Sequence, residues 1–128
     1  HTAPISMVYA LHAGLGVLLD EGLDQVQERH QRCGDRLQDG LVKRGFELFA
    51  CEGHRLPELT TVYIPKDRLP DGLSEADIRS RLLGEYGIEI GGGLGPVSGE
   101  VWRIGCMGHT ARDRNVSLLL GALDEILC

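Results

Sequence analysis

The stretch IEIGGGLGPVSGEVWRIG, residues 88–105, decides the fold because two predicted strands enclose a glycine-rich connection in it. Ile88-Glu89-Ile90 alternates apolar and polar side chains, and Val101–Ile104 forms a second short strand pattern. Four of the 18 glycines of the chain lie between Gly91 and Gly95. So dense a glycine cluster exceeds average composition and requires a structural or functional explanation.

Arg103 is the sharpest chemical feature of this stretch. Side chains alternate along a strand, so Trp102 and Ile104 share one face and Arg103 shares the other with Val101 and Gly105. If the bulky pair faces the core, the guanidinium projects next to glycines, where it would bind a carboxylate with two hydrogen bonds. The alternative is an ordinary solvated arginine on a strand.

The glycine loop, comprising Gly91, Gly92, Gly93, Leu94 and Gly95, also has two interpretations. Its backbone could approach a ligand closely or bind an anion through successive N–H groups. It could equally be a flexible connector between two strands. The loop is not a dinucleotide-binding fingerprint, because Pro96 stands where GxGxxG counted from Gly91 needs glycine.

Two long helices are predicted at the start of the chain. The first runs from about Pro4 to Asp20, and the second from Leu23 to Leu41 with Gly45 as a left-handed cap. Apolar side chains of the first helix recur every three or four residues and form one stripe: Ile5, Val8, Leu11, Leu15, Leu18 and Leu19.

The remaining elements are short. Phe46–Phe49 and Thr60–Ile64 have the β-branched and aromatic content of strands. A helix capped by Ser74 ends at Gly87, and a last helix begins at Thr110. The core faces of these two helices are predicted to be Ile78, Leu82, Leu83 and Tyr86, followed by Val116, Leu119, Leu120, Leu123 and Ile126.

These elements predict an α+β fold in which helices cover a small, mostly antiparallel sheet. The 128 residues and 14.0 kDa suit a single domain, residues 1–128, with a core that needs no disulfides. The chain begins at His1 and its first helix starts almost immediately. We therefore expect it to be part of a longer protein.

Composition argues against several classes of partner. With 13 basic and 19 acidic side chains the formal charge is −6, which disfavours binding to nucleic acid. The longest apolar runs, such as Leu118–Leu120, are far too short to cross a membrane. The four scattered cysteines predict reduced thiols and a cytoplasmic location: Cys33, Cys51, Cys106 and Cys128.

Three further pairs have the spacing of metal ligands or of a catalytic dyad: His30 with Cys33, Cys51 with His54, and Cys106 with His109. Neither of the first two is accompanied by a second pair at zinc-site spacing, so core packing or loop placement is the favoured interpretation and no metal is expected. The third pair has no evident orienting group.

The glycine and arginine pattern resembles a known family. Residues 88–96, followed by Gly99, Val101, Arg103-Ile104-Gly105 and Met107-Gly108, are similar to the C-terminal domain of the alanine–glyoxylate and serine–pyruvate aminotransferases. These are class V pyridoxal-phosphate enzymes of fold type I. The opening His1-Thr2-Ala3-Pro4 and residues 56–62 resemble the same family, so the similarity spans essentially the whole chain.

The resemblance implies specific roles. Arg103 matches the arginine that binds the α-carboxylate of the amino-acid or 2-oxo-acid substrate. Thr2 matches a hydroxyl residue that reaches the phosphate of pyridoxal 5'-phosphate in the neighbouring subunit of a homodimer. The loop of Gly91, Gly92, Gly93, Leu94 and Gly95 would lie near the substrate entrance. The substrates would be serine or alanine and glyoxylate or pyruvate.

The sequence departs from the family because it shows neither the Schiff-base lysine, nor the acid that pairs with the pyridine nitrogen, nor the large cofactor domain. Its two lysines, Lys43 and Lys66, lie at polar ends of elements, and neither matches the Schiff-base lysine of the large domain. We therefore expect the parent protein to be a transaminase and the 128-residue chain alone to be inactive. The alternative function is a non-catalytic regulatory domain that uses Arg103 to bind small molecules or anions.

Overall fold

The computed structural model describes residues 2–127, so His1 and Cys128 lie outside the described residues. The described residues form four α-helices and a three-stranded sheet. The helices are α1 (Ile5–Glu21), α2 (Leu23–Lys43), α3 (Glu75–Tyr86) and α4 (Asp113–Ile126), and the strands are β1 (Leu59–Tyr63), β2 (Gly91–Gly92) and β3 (Val101–Gly105). The predicted α+β fold is confirmed.

The sheet places Arg103 on its central strand. The strand order is β1-β3-β2, and both pairings are antiparallel. Arg103 is opposite Thr61 on one side and Gly91 on the other, while Trp102 is opposite Val62 and Gly92. A residue on a central strand has its backbone fixed by both neighbours, so the direction of the Arg103 side chain is well defined.

The core lies between one face of this sheet and helices α2, α3 and α4. Trp102 is fully buried at its centre, and the ring of Phe46 lies 6.4 Å from it. The predicted apolar face of α4 is confirmed, because its five core positions are all buried. Further large side chains of this core include Leu37, Leu41, Val62, Ile78, Leu82 and Ile104, whereas Val101 is buried outside this cluster, next to Gly93.

Two helix ends follow their sequence signals closely. The Ser74 side chain accepts a hydrogen bond from the Asp77 N–H, and the Asp77 carboxylate accepts one from the Ser74 N–H, which forms a capping box at the start of α3. At the end of α2, the N–H groups of Gly45 and Phe46 donate to the carbonyls of Val42 and Leu41. Gly45 has φ +79°, and this pair of bonds is the Schellman arrangement.

α1 is unusual because it contains no buried residue. Five of the six residues of its predicted stripe are exposed, with Leu19 72% accessible, and Leu18 is half-buried; apolar residues outside the stripe, such as Met7 and Tyr9, are exposed as well. The helix is therefore apolar on all sides rather than amphipathic, which is typical of a helix that is covered by other polypeptide. Within residues 2–127, no helix has both the length and the apolar character needed to cross a membrane.

Two strand predictions were wrong in position. Phe46–Phe49 contributes only a single bridge, Leu48 to Val62, because the N–H of Phe46 donates to the Leu41 carbonyl at the end of α2 and not to a strand. The strand expected at residues 88–90 forms instead at Gly91–Gly92. Antiparallel pairing with β3 brings the glycines, and not the preceding isoleucines, opposite Arg103 and Trp102.

Two helix predictions also need correction. Thr110 does not cap α4, whose N-cap is Arg112, because Thr110 lies in a preceding 3-10 turn and its hydroxyl donates to the Met107 carbonyl. Leu83 was expected in the core but is 52% exposed. Ile78 and Leu82 already fill the side of α3 that faces the sheet and α4.

Candidate functional site

The site is centred on Arg103. Its neighbours Trp102 and Ile104 are buried on the core side of β3, whereas the Arg103 side chain is only half-buried on the opposite side. The flanking residue on β2 is Gly91, which has no side chain to cover the guanidinium. The alternation of β3 therefore directs a cation to the glycine-lined face of the sheet.

The guanidinium is anchored at one edge only. Its Nε–H donates to the carbonyl oxygen of Gly92 over 2.8 Å. Within residues 2–127, Arg103 makes no ion pair, and its Nη groups donate to no protein atom. Two parallel N–H donors thus remain for a carboxylate, in the fork geometry that binds both of its oxygens.

The glycine loop is an ordered turn and not a flexible connector. A side chain at Gly93 would overlap the backbone carbonyl of Val97, so the chain passes itself there at a distance that only glycine allows. Gly95 has φ +55° and starts a 3-10 turn that continues to Val97. Leu94 is exposed beside this turn.

A second cluster adjoins the site, and the sequence analysis missed it. The Glu75 carboxylate accepts hydrogen bonds from Trp102 Nε1 at 3.0 Å and from Arg79 Nε at 2.8 Å. The bond from Arg79, assisted by the bond from Trp102, lowers the pKa of Glu75 below its usual value, against the opposing effect of burial. The i,i+4 spacing of Glu75 and Arg79 on a predicted helix was the available signal, but nothing local linked it to Trp102.

Thr2 stands apart from these groups. It precedes α1, its side chain is exposed, and it makes no hydrogen bond to Arg103 or to the glycine loop within the described residues. Its hydroxyl is therefore accessible to a group that lies outside the chain.

The other sequence candidates have structural partners. His30 Nε2 accepts a hydrogen bond from the Gly108 N–H at 2.8 Å, and His30 Nδ1 lies 2.6 Å from the Val26 carbonyl oxygen. Nε2 thus joins the loop that follows β3 to α2, while Nδ1 contacts the preceding turn of α2 itself. His30 acts here as a packed histidine, as the sequence favoured.

Cys106 and His109 do not form a dyad. Cys106 is buried, and this burial raises the pKa of its thiol to about 11. His109 is exposed, and its Nδ1 lies 3.2 Å from an Arg112 nitrogen. A protonated, buried thiol is a poor nucleophile. The cysteines at 33, 51 and 106 are all free thiols.

Comparison with known proteins identifies relatives over nearly the entire chain. No family model matches. The chain is 37% identical over 127 residues to the (S)-ureidoglycine–glyoxylate transaminase of Bacillus subtilis, covering 99% of this chain and 29% of that protein. It is 41% identical over 128 residues to the alanine–glyoxylate aminotransferase of Callithrix jacchus, covering 99% and 30%.

Solved structures agree with these sequence relatives. The crystal structure of the alanine–glyoxylate aminotransferase from Nostoc sp. superimposes with a TM-score of 0.86 at 42% identity, covering 100% of this chain and 33% of that one. The chain therefore spans about a third of the length of the proteins that it matches.

Proposed function

The chain belongs to the alanine–glyoxylate aminotransferase family of class V pyridoxal-phosphate enzymes, of which it matches the C-terminal part, and we propose that it is the acid-binding small domain of such a transaminase. The observation that carries the proposal is the free guanidinium edge of Arg103. Both Nη groups are available on the glycine-lined face, and only Nε is held by the protein. The domain proposed is the whole of residues 1–128.

We propose that the substrates are a small amino acid, serine or alanine, and a 2-oxo acid, glyoxylate or pyruvate. The names of all three relatives described above include glyoxylate, and two of them include alanine. Every one of these molecules carries an α-carboxylate. A planar, permanently charged fork is the side chain best suited to bind such a group and to reject simple amines.

Arg103 would act by orientation. A carboxylate held at two points cannot rotate freely, so the bond from Cα to its hydrogen is fixed relative to the cofactor plane. Pyridoxal phosphate, when bound, supplies the electron sink that makes loss of that proton feasible. The contribution of this chain is placement of the substrate and selection of α-acids, and it requires no proton transfer to Arg103.

The chain offers a second group that fits the cofactor. The accessible hydroxyl of Thr2 can donate to or accept from a phosphate oxygen, and the proposal assigns it to the phosphate of pyridoxal 5'-phosphate in a partner subunit. The loop of residues 91–95 is assigned to the substrate entrance, where its exposed Leu94 would line the approach. Cofactor contacts beyond Thr2 are assigned to the large domain.

The partners proposed are that large domain and a second subunit. α1 presents apolar side chains on all sides and has none buried, so it needs cover from additional polypeptide. A homodimer with shared sites would supply part of this cover. A cytoplasmic location is proposed as well, and the free thiols of Cys33, Cys51 and Cys106 are consistent with a reducing compartment.

The 128-residue chain alone is proposed to be inactive. Lys66 is exposed and its Nζ pairs with Glu100 at 2.7 Å, and Lys43 is exposed at the end of α2. Neither lysine lies in a desolvated site where its amine would be reactive. Incubation with pyridoxal phosphate, alanine and glyoxylate should therefore yield no pyruvate, and catalytic pyruvate production would contradict this assignment.

Substitution of Arg103 tests the central proposal. In the longer polypeptide that contains the large domain, Arg103→Ala should raise KM for the 2-oxo acid about 10- to 100-fold, because charge-assisted hydrogen bonds are lost. Arg103→Lys should restore only part of the affinity, since an ammonium cannot bind both oxygens in a fixed plane. Arg81→Ala, a surface arginine on α3, is the matched control. An unchanged KM in Arg103→Ala would refute the proposal.

A further inference from the structure

The two glycines of β2 lie between two guanidinium groups. A methyl group built on Cα of Gly91 would lie 3.3 Å from Nη2 of Arg103, whereas one built on Gly92 would lie 3.5 Å from Cζ of Arg79. Successive residues of a strand face opposite sides. Arg103 and Arg79 therefore contact opposite faces of the same two-residue strand.

Arg79 is held in place by its own contacts. Its Nε and Nη2 donate to the two oxygens of Glu75 at 2.8 and 3.1 Å, which fixes the plane of the guanidinium. Glu75 in turn accepts the indole N–H of the fully buried Trp102. Trp102 is the cross-strand partner of Gly92 and the chain neighbour of Arg103. These contacts thus join α3 to β3 and β3 to β2, and the packing of Arg79 on Gly92 joins β2 back to α3.

α3 carries a second ion pair, which serves as a comparison for the pair of Glu75 and Arg79. Arg81 and Glu85 have the same i,i+4 spacing and the same distances, 2.8 and 3.1 Å. Their side chains are more exposed, at 38% and 47% against 31% and 24% for Arg79 and Glu75. Glu85 receives no bond from an indole, and its pair accounts for helix stabilisation alone.

We infer that Glu75 and Arg79 are positioning residues for Arg103. Arg79 packs on Gly92 from the face opposite Arg103 and so limits movement of the Gly92 peptide. The carbonyl of that peptide accepts the Nε–H of Arg103 at 2.8 Å, and this bond sets the direction in which the two Nη groups point. The acid-binding role of Arg103 rests on the proposed function, whereas the mechanical link between Arg79 and Arg103 does not.

The link is measurable by nitrogen-15 NMR of the 128-residue chain. The Nε–H resonance of Arg103 is assigned by its absence in Arg103→Lys, and the chain has one tryptophan, so its single indole resonance reports on the bond to Glu75. The test variants are Arg79→Gln and Glu75→Gln. The matched controls are Arg81→Gln and Glu85→Gln. Each of them removes the second i,i+4 ion pair of α3. Dispersed backbone amide signals verify that each variant folds.

In Arg79→Gln, the Arg103 Nε–H should exchange with solvent about fivefold faster, the ratio that corresponds to a lost stabilisation of about 1 kcal/mol. Both controls should leave the exchange rate at its original value. Glu75→Gln should in addition shift the indole resonance. If Arg79→Gln does not fold, Arg79→Lys provides the test, because it retains the charge but lacks the planar group that packs on Gly92. Unchanged Arg103 exchange in a folded Arg79 variant would overturn the inference.

A titration with sodium glyoxylate separates this inference from the proposed function. In the unsubstituted chain, the Arg103 Nε–H resonance should shift on addition of glyoxylate and not on addition of sodium chloride at equal ionic strength. The Arg79→Gln variant should require about fivefold more glyoxylate for the same shift, again equivalent to one hydrogen bond. If glyoxylate does not shift the Arg103 Nε–H resonance while Arg79→Gln still accelerates its exchange with solvent, the proposed function fails and the positioning role stands.

Discussion

The guanidinium of Arg103 lies against the backbone of Gly91 on the neighbouring strand, so closely that a methyl group on that Cα would come within 3.3 Å of Nη2. The absence of a side chain at position 91 therefore determines where the cation of the site can lie. Gly91 is not among the glycines with positive φ. Glycine is needed at position 91 because a side chain would occupy the space of the guanidinium, and not because the backbone conformation excludes other residues.

Gly91→Ala should weaken carboxylate binding while leaving the fold intact. The added methyl displaces the end of a flexible side chain, so the free energy of unfolding should remain within about 1 kcal/mol of its original value. Affinity for glyoxylate should fall severalfold, which titration of the Arg103 resonance would measure. Gly93→Ala is the contrasting variant: its methyl meets the Val97 backbone, and it should cost more than about 2 kcal/mol. Equal stability of the two variants would contradict this account.

Gly34→Ala should destabilise the contact between α2 and the segment that leads into β1. A Cβ at this position would lie 2.5 Å from the Pro57 carbonyl oxygen and 2.6 Å from its Cα, and backbone atoms cannot move aside cheaply. We expect a loss of about 1–3 kcal/mol in chemical denaturation. Gly84→Ala, in the exposed last turn of α3 with open space around it, should instead stabilise by about 0.5–1 kcal/mol. A stabilising Gly34→Ala would show that the two segments are not in contact.

The stability of the chain should fall in acid partly because of Glu75. Its pKa is lowered in the folded state, chiefly by Arg79, so the folded state binds fewer protons than the unfolded state near pH 4. The stabilisation is complete above the unfolded pKa of about 4.3 and is lost as the pH falls through the lower folded value. Glu75→Gln should therefore flatten the decline in unfolding free energy between pH 6 and pH 3. Glu85→Gln, which alters an exposed pair, should flatten it less.

The three described thiols should differ sharply in reactivity. Cys51 is exposed, whereas Cys33 and Cys106 are buried and burial raises the pKa of both. With a pKa of about 11, Cys106 is only about 0.1% thiolate at pH 8. In a Cys128→Ser background, a thiol reagent should label one cysteine rapidly and two only on unfolding. Rapid labelling of Cys106 in the folded chain would show that the loop after β3 opens readily.

The sequence was sufficient for the features that depend on near neighbours. The serine and aspartate at the start of α3 and the glycine after α2 act within a few residues, and both form the ends that their patterns predict. The alternation of Val101–Ile104 placed Trp102 and Arg103 on opposite faces for the same reason. The family was evident from the spacing of glycines around Arg103.

Local patterns failed where an element is defined by its partner. Ile88-Glu89-Ile90 alternates like a strand, but the pairing with β3 begins three residues later, at Gly91. Leu83 continues the apolar spacing of α3 and nevertheless lies outside the area that the helix buries. A periodic pattern indicates which residues share a face, while the extent of the covered face depends on what packs against it.

By itself, then, the sequence determined the fold class, the family and the direction of the Arg103 side chain, because each of these follows from backbone periodicity and turn chemistry over short distances. Only the tertiary structure decided that Arg79, from a helix ending before the glycine loop, packs against Gly92 and is tied through Glu75 to Trp102. Contacts of this kind join residues that are far apart in the chain, and their geometry exists only when the helices and the sheet have packed around a common core.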